Sequence, residues 1–321
     1  MTGGCGFIGS NFIHFMLDKY DDVAIVNLDK LTYCGNPENM SDVSGDTRYS
    51  FVEGDICDRA AVKSLAKGAD AVVNFAAETH VDRSIKYPDD FLRTNVSGVN
   101  VLLEAAREAG IRRFIQIGTD EVYGSVKEGF SKEDDPLKPN SPYSATKAAG
   151  DLLALAYHAT YGLPVIVVRS SNNFGPYQYP EKAIPLFVTN LLDGKKVPLY
   201  GDGSNIREWL YVEDNCAAID LVLRKGAGGE IYNIGGGGQI TNLELTDMIL
   251  SVMAQDNSCV EHVADRPGHD KRYALDSSKV KELGWAQSPD LLRDLEKTVK
   301  WYRNNESWWR PIKEKAEIIT W

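Results

Sequence analysis

The 321 residues predict an α/β protein built on a doubly wound parallel sheet, with a smaller interleaved α/β lobe. Short apolar runs alternate with helical patterns, which is the order of β-α-β units. Runs such as 114–117 and 165–168 are apolar throughout, as strands covered on both faces require. A glycine-rich turn, Gly3-x-x-Gly6-x-x-Gly9, stands where the first such unit would open.

The elements follow in order. Ser10 to Tyr20 reads as a helix with Phe12, Ile13, Met16 and Leu17 on one face. Small residues before it let backbone amides approach a pyrophosphate at the helix N-terminus, so Gly3, Gly6, Phe7, Ile8 and Gly9 are candidate dinucleotide contacts. Residues 23–28 read as a strand ending at Asp29, twenty residues after Gly9, where an acid meets an adenosine ribose; Lys30 and Thr32 follow it. Residues 49–52 form a strand leading to Asp55 and Ile56, placed for an adenine edge, and 58–66 a helix. The run 71–77 closes on Ala76 and Ala77, and a helix from Pro88 carries Thr94. This arrangement is a Rossmann-type sheet. The strand 114–117 then delivers Thr119, Asp120 and Glu121 to the carboxyl edge, where parallel sheets bind ligands.

Residues 125–142 form a loop over that edge, and Pro142 opens a helix. Tyr143 and Lys147 lie one turn apart on its face. Strand 165–169 runs into Asn172 and Asn173. Alternation then loosens: a helix from Lys182, turns and short strands over 198–212, a helix from 214, a strand at 231–235, and a helix at 243–254 for which Asn242 is the expected cap. A charged loop at 265–273 holds Arg266 and His269; a helix at 290–304 and a Trp308-Trp309 tail complete the chain. The first domain is expected over 1–172 and the second lobe over 173–321, with about 212–235 returning to the first. A central strand is expected before the glycines, yet only Met1 and Thr2 stand there. The recorded start is therefore expected to be internal or truncated; a true start at Met1 would cost the sheet its central pairing.

Composition narrows the function. Net charge is −11 with no Lys/Arg block, which excludes nucleic acid as the expected partner. No apolar run is long enough to span a membrane, and no secretion signal is visible. Five scattered cysteines argue against disulfides and zinc, so no metal is expected and the compartment is the cytoplasm. The informative pair is Tyr143 and Lys147. A phenol with a pKa near 10 is a poor base. A neighbouring ammonium and an oxidised nicotinamide favour phenolate, so that Tyr143 can take an alcohol proton while hydride leaves the same carbon.

The motifs TGGCGFIGS (2–10), LDKLTYCGN (28–36), GDICD (54–58), FAAETHVDRS (75–84), TDEVYG (119–124), YSATK (143–147), SNNFGPYQ (171–178), REWLYVED (207–214) and RPGHDKRY (266–273) span the chain. Through them it resembles the extended short-chain dehydrogenases/reductases, and within these the nucleoside-diphosphate-sugar 4,6-dehydratases of the dTDP-glucose branch. The resemblance implies NAD as cofactor and a nucleotide-sugar, dTDP-glucose, as substrate. It implies that Tyr143 takes the 4-hydroxyl proton, Glu121 the C5 proton, and Asp120 protonates the departing 6-hydroxyl, with Thr119 on the 4-oxygen. Asn172 and Lys182 would face substrate, Asn173 and Thr94 the cofactor. Arg207, Asn242, Arg266 and His269 would hold the nucleotide and its pyrophosphate. His80 either touches substrate or closes a strand end. A homodimer through helices at 88–109 and 143–161 is expected.

The chain departs from the family pattern at Met1, at Cys5 where Ala is usual, at Glu208 where Asp is common, and at Asn215 where His is common. UDP-sugar 4-epimerases and decarboxylases share Tyr143 and Lys147 but not the two carboxylates, and GDP-mannose 4,6-dehydratases typically carry Ser in place of Asp120. A non-catalytic NAD-binding protein on the same fold is the alternative from another class.

Overall fold

The computed structural model describes residues 1–265 and 269–315. Its strands are β1 (Ile25–Asp29), β2 (Tyr49–Glu53), β3 (Ala71–Asn74), β4 (Arg113–Thr119), β5 (Val165–Ser170), β6 (Asn172–Phe174), β7 (Val197–Tyr200), β8 (Ile206–Tyr211), β9 (Ile231–Ile234), β10 (Gln239–Thr241) and β11 (Val260–Val263).

The main sheet is parallel throughout. β2 pairs with β1, and β3, β4, β5 and β9 pair in that order. Where a central strand is expected, Thr2 alone bridges β1 and β3, against Leu28 on one side and Asn74 on the other. Its amide donates to the Val73 carbonyl at 3.1 Å, Gly3 donates to Leu28 at 2.9 Å, and Leu28 donates to Met1 at 2.9 Å. The Thr2 hydroxyl donates to Asn74 Oδ1 at 2.6 Å. Central pairing is therefore short rather than lost.

The strand period of two sorts the core onto two faces. Ile115, Ile117, Ile166 and Val168 meet the helices Phe7–Lys19 and Val212–Lys225. Phe114, Val165 and Val167 meet Leu102, Leu103 and Ala154 of the helices Val99–Ala109 and Pro142–Tyr161. β5 is buried along its whole length: Val165–Val168 are apolar, and the Arg169 that follows is buried because Asp151 pairs with it. The segment Val212–Ile234 belongs to this layer, because its helix packs on Phe7–Lys19 and β9 pairs with β5.

The smaller lobe has its own core, with Phe174, Phe187, Trp209, Leu245, Ile249, Tyr302 and Trp309 among its members. β8 lies between β6 and β10, and β7 pairs with β11. Trp309 is fully buried in the helix Glu306–Lys315. Two local expectations change. The first helix begins at Phe7, three residues before Ser10, because Ser10 already donates to the Gly6 carbonyl at 3.0 Å. The helix Asn242–Val252 is capped by Thr241, not Asn242: the Thr241 hydroxyl accepts from the Glu244 amide, and the Glu244 carboxylate accepts from the Thr241 amide.

Helix and turn pack tightly where the glycines stand. A Cβ on Gly9 would lie 2.3 Å from the Gly3 carbonyl oxygen and 2.9 Å from Gly4 Cα, both backbone atoms. Helix propensity alone favours alanine at Gly9 by about 1 kcal/mol. The clash decides the sign, and Gly9→Ala is expected to lower stability by about 1–3 kcal/mol in urea unfolding.

Candidate active site

β4 ends at Thr119, and the chain turns through Asp120–Tyr123. The Thr119 hydroxyl accepts from the Glu121 amide at 3.3 Å and contacts Asp120 Oδ1 at 3.2 Å. Asp120 is buried, and its Oδ2 has no hydrogen-bond partner. Burial, then the charge of Glu121, hold its carboxyl well above the ordinary carboxylate range; Arg207 offsets part of this and Glu208 adds to it. Asp120 thus favours its protonated form, as a proton donor must. Glu208 is itself buried under the site, where desolvation pushes its carboxyl up to about 7.

The helix Pro142–Tyr161 begins with a reciprocal cap, Ser141 with Ser144, and Pro142 in its first turn. That start aims Tyr143 and Lys147 at the end of β4. Burial and then Glu121 raise the phenol of Tyr143 above its ordinary value, while a hydrogen bond from Thr119 pulls it back. The Lys147 ammonium donates to the Ile117 carbonyl and faces Asp151. Burial lowers the lysine's pKa. The protein's own groups therefore leave the phenol raised; the expected lowering couples Lys147 with an oxidised nicotinamide.

Beneath these groups lies a buried ion pair. Arg169 Nε meets Asp151 Oδ2 at 2.9 Å, with both side chains almost wholly inaccessible. Arg169 Nη1 donates to the Tyr123 hydroxyl at 2.8 Å, which donates to Asn233 Oδ1 at 2.9 Å. This chain joins β5, the catalytic helix, the Asp120–Tyr123 turn and β9.

The same cleft continues along the carboxyl edge of the sheet. Every cofactor residue expected from the sequence lines it, as do Thr119, Asp120, Glu121, Asn172 and Lys182. Gly3 has φ +70°, and a Cβ there would lie 2.5 Å from the Ala76 amide nitrogen. Asp29 accepts from the amides of Cys5 at 2.9 Å and Leu31 at 2.8 Å, which fixes its carboxylate over the turn. Lys30 pairs with Asp55 at 3.0 Å. Thr94 lies in a widened helical turn, Arg93–Gly98, whose Asn95 side chain is tied to the Glu78 backbone at both its amide and its carbonyl. Asn172 Oδ1 and Asn173 Oδ1 are buried without partners. Glycines with no room for Cβ, an acid after β1, and orphaned amide oxygens facing the cleft fit a dinucleotide and a polar ligand beside it.

The remaining expected residues lie elsewhere. Arg207 is buried in β8, donates to the Asp270 carbonyl at 3.0 Å, and lies 4.4 Å over the Tyr273 ring. Asn205 links it to Asn242, accepting from the Asn242 amide at its carbonyl and donating to the Asp270 carbonyl. His269 meets Asp265 at 2.6 Å and Tyr200 edge-on. Arg266 lies outside the described residues. His80 Nδ1 accepts from the Arg83 amide at 3.4 Å and caps the short helix Val81–Lys86. Sequence reasoning missed Tyr33, Glu78, Thr79, Gln178, Tyr179 and Glu181, which also line the cleft. They lie in connectors whose only signal is that they directly follow strand ends or the Asn172-Asn173 pair.

Residues 1–298 match a family described as GDP-mannose 4,6 dehydratase. The dTDP-glucose 4,6-dehydratase of Streptomyces niveus is 52% identical over 99% of this chain and 96% of its own length. The crystal structure of a dTDP-glucose 4,6-dehydratase from Streptomyces venezuelae, with NAD bound, superposes with a TM-score of 0.94 at 52% identity, covering 97% of this chain and 98% of that one. A Bacillus anthracis dTDP-glucose 4,6-dehydratase in complex with NAD gives 0.91 at 48% identity, over 97% and 98% of the two chains. The family description and the relatives' names agree on 4,6-dehydration and differ in the nucleotide and the sugar. The chain belongs to this 4,6-dehydratase family, and the relatives named for dTDP-glucose match it over nearly its whole length.

Proposed function

We propose that the protein converts dTDP-glucose to dTDP-4-keto-6-deoxyglucose with NAD. The observation that carries this is the Asp120-Glu121 pair: two adjacent carboxyls beside Tyr143, one of them buried and biased to keep its proton. The names of the relatives support the nucleotide and the sugar.

Bound NAD supplies a hydride acceptor for C4 and returns that hydride to C6 in the same cycle. The protein's residues move the protons. Tyr143 takes the proton of the 4-hydroxyl, and Thr119, which lines the cleft beside Tyr143, orients the sugar 4-oxygen. The resulting 4-ketone acidifies C5, and Glu121 takes its proton. Asp120 gives its own proton to the 6-hydroxyl, which departs as water. Glu121 gives its proton back to C5 as hydride returns to C6, which restores Glu121. Asp120 is then one proton short and Tyr143 one proton over, and transfer of that proton from Tyr143 to Asp120 through solvent closes the cycle. Asn172 and Lys182 sit in the cleft to hold the sugar and its diphosphate. Arg207, Asn242, Arg266 and His269 are assigned to the nucleotide end. The boundary between the lobes is placed near residue 172, with 212–235 part of the first.

A homodimer completes this reading. The helices Pro88–Leu92 and Pro142–Tyr161 expose Leu92, Leu152 and Tyr161 by 52–56%, large apolar groups on adjoining surfaces.

Incubation with dTDP-glucose is expected to give a product lighter by one water, with no net NADH, and the highest kcat/KM among dTDP-, UDP- and GDP-glucose; formation of dTDP-galactose instead would sink the assignment. Asp120→Asn is expected to lower kcat by about 10²–10⁴-fold, while C4 oxidation persists and is visible as reduced nicotinamide absorbance. Because its carboxyl is raised, the acid form of Asp120 is lost only as pH climbs through that raised value. The parent kcat should therefore fall on the alkaline side, and the Asn variant should lack that limb. Sedimentation is expected to find a dimer of 35.5 kDa chains, and Leu152→Glu to shift it toward monomer.

A further inference from the structure

Part of the cleft takes no part in the chemistry above. Tyr33 lies in the connector after β1, and Glu181 precedes the helix Ala183–Leu192 of the smaller lobe. The Tyr33 hydroxyl donates to Glu181 Oε1 at 2.7 Å across 148 residues of chain. The Arg83 guanidinium lies 3.9 Å over the Tyr33 ring, and Tyr179 meets that ring edge-on at 5.3 Å. Burial, then the neighbouring Cys34 and the Glu181 carboxylate, keep the Tyr33 phenol in its neutral, donating form.

Both connectors are pinned to present this pair. The first is fixed by Asp29 accepting from Leu31 and by Asn36 donating to the Cys5 carbonyl. The second is fixed by Asn11 of the glycine helix, which donates to the Pro176 carbonyl at 3.0 Å, and by Tyr302, which donates to the Gln178 carbonyl. Tyr177 packs edge-on against Trp301 and Trp308, at 4.9 and 5.9 Å. Leu31 at φ 55° and Tyr177 at φ 63° occupy the left-handed region, uncommon for residues with a Cβ. One such residue stands in each connector. Tyr33 and Glu181 line the same cleft as Gly6, Gly9 and Asp29. Their contact therefore forms part of the wall of the cleft that holds the glycine turn and Asp29.

We infer that the Tyr33–Glu181 contact is a latch between the two lobes that retains the dinucleotide through the reaction cycle. The inference rests on the NAD-dependent reading above. A reaction that removes hydride and returns it within one cycle loses its product whenever the reduced cofactor escapes midway. Tyr33 and Glu181 are positioning residues here: they hold the cleft closed and transfer nothing.

The test is cofactor release. Protein loaded with NADH is diluted into excess NAD, and loss of bound NADH fluorescence is followed. Tyr33→Phe keeps the ring under Arg83 and removes only the donor; Glu181→Leu removes the acceptor. Each is expected to speed release about tenfold, the worth of one hydrogen bond to a charged group, and the double variant no more than either alone. Release within threefold of the parent in a folded single variant, or additive effects in the double, overturns the latch. If one single variant fails to fold by circular dichroism, the other carries the comparison with the parent. A parent that holds NADH but leaves dTDP-glucose unchanged overturns the proposed function while the release rates still decide the latch. A parent that holds no NADH overturns both.

Discussion

A single buried guanidinium sets the geometry of the active site. Arg169 satisfies Asp151 on the catalytic helix and the Tyr123 hydroxyl on the turn after β4, and through Tyr123 it reaches Asn233 on β9. Burying such a pair costs several kcal/mol per ion before its attraction is counted. What the fold gains is register. The helix bearing Tyr143 and Lys147 and the turn bearing Asp120 and Glu121 are referred to one fixed point. Gly118 lets that point sit close: a Cβ there would lie 2.9 Å from Asp151 Oδ2. Lys147, one turn before Asp151, joins the same buried group of charges.

Above that fixed point, desolvation assigns the protonation states. The two carboxyls are adjacent in sequence but sit in different surroundings. Asp120 is buried with an unpartnered oxygen, which disfavours its anion. The phenol of Tyr143 is raised by the same burial, so proton transfer from substrate depends on charge brought by the bound ligands as well as on the Thr119 hydrogen bond. On the proposed reading, this is how a scaffold whose Tyr143 and Lys147 suit simple oxidation also supports elimination. On the proposed reading, the distinguishing chemistry lies in where the first carboxyl is placed, directly after the last residue of the strand that delivers it.

Much of this was legible in the sequence. Uninterrupted apolar runs with Gly, Asp or Thr at their ends gave the strands and marked the carboxyl edge, because a strand covered on both faces admits few polar residues. The spacing from Gly9 to Asp29 anticipated an acid at the end of β1 beside the glycine turn. Cap choice at Thr241 against Asn242 was recoverable from Glu244, since a reciprocal cap needs an acid three residues on. What Lys147 bonds to was not legible: helical spacing places it beside Tyr143 but says nothing of the Ile117 carbonyl on another element. Nor was Tyr33 with Glu181, whose meeting depends on two left-handed backbone residues and a tertiary fold. Arg207 shows the limit from the other side. Its charge reaches Asp120, and its guanidinium donates to the Ile206 and Asp270 carbonyls and lies over the Tyr273 ring, partners that strand spacing does not announce.

The aromatic group behind Glu181 has an optical consequence. Trp301 and Trp308 pack on Tyr177, and the Trp308 indole donates to Asn39 Oδ1 at 2.8 Å, across to the first lobe. These indoles thus back the connector that carries Glu181, beside buried Trp309 in the same core. If the inferred latch opens, this is where tryptophan emission is expected to change.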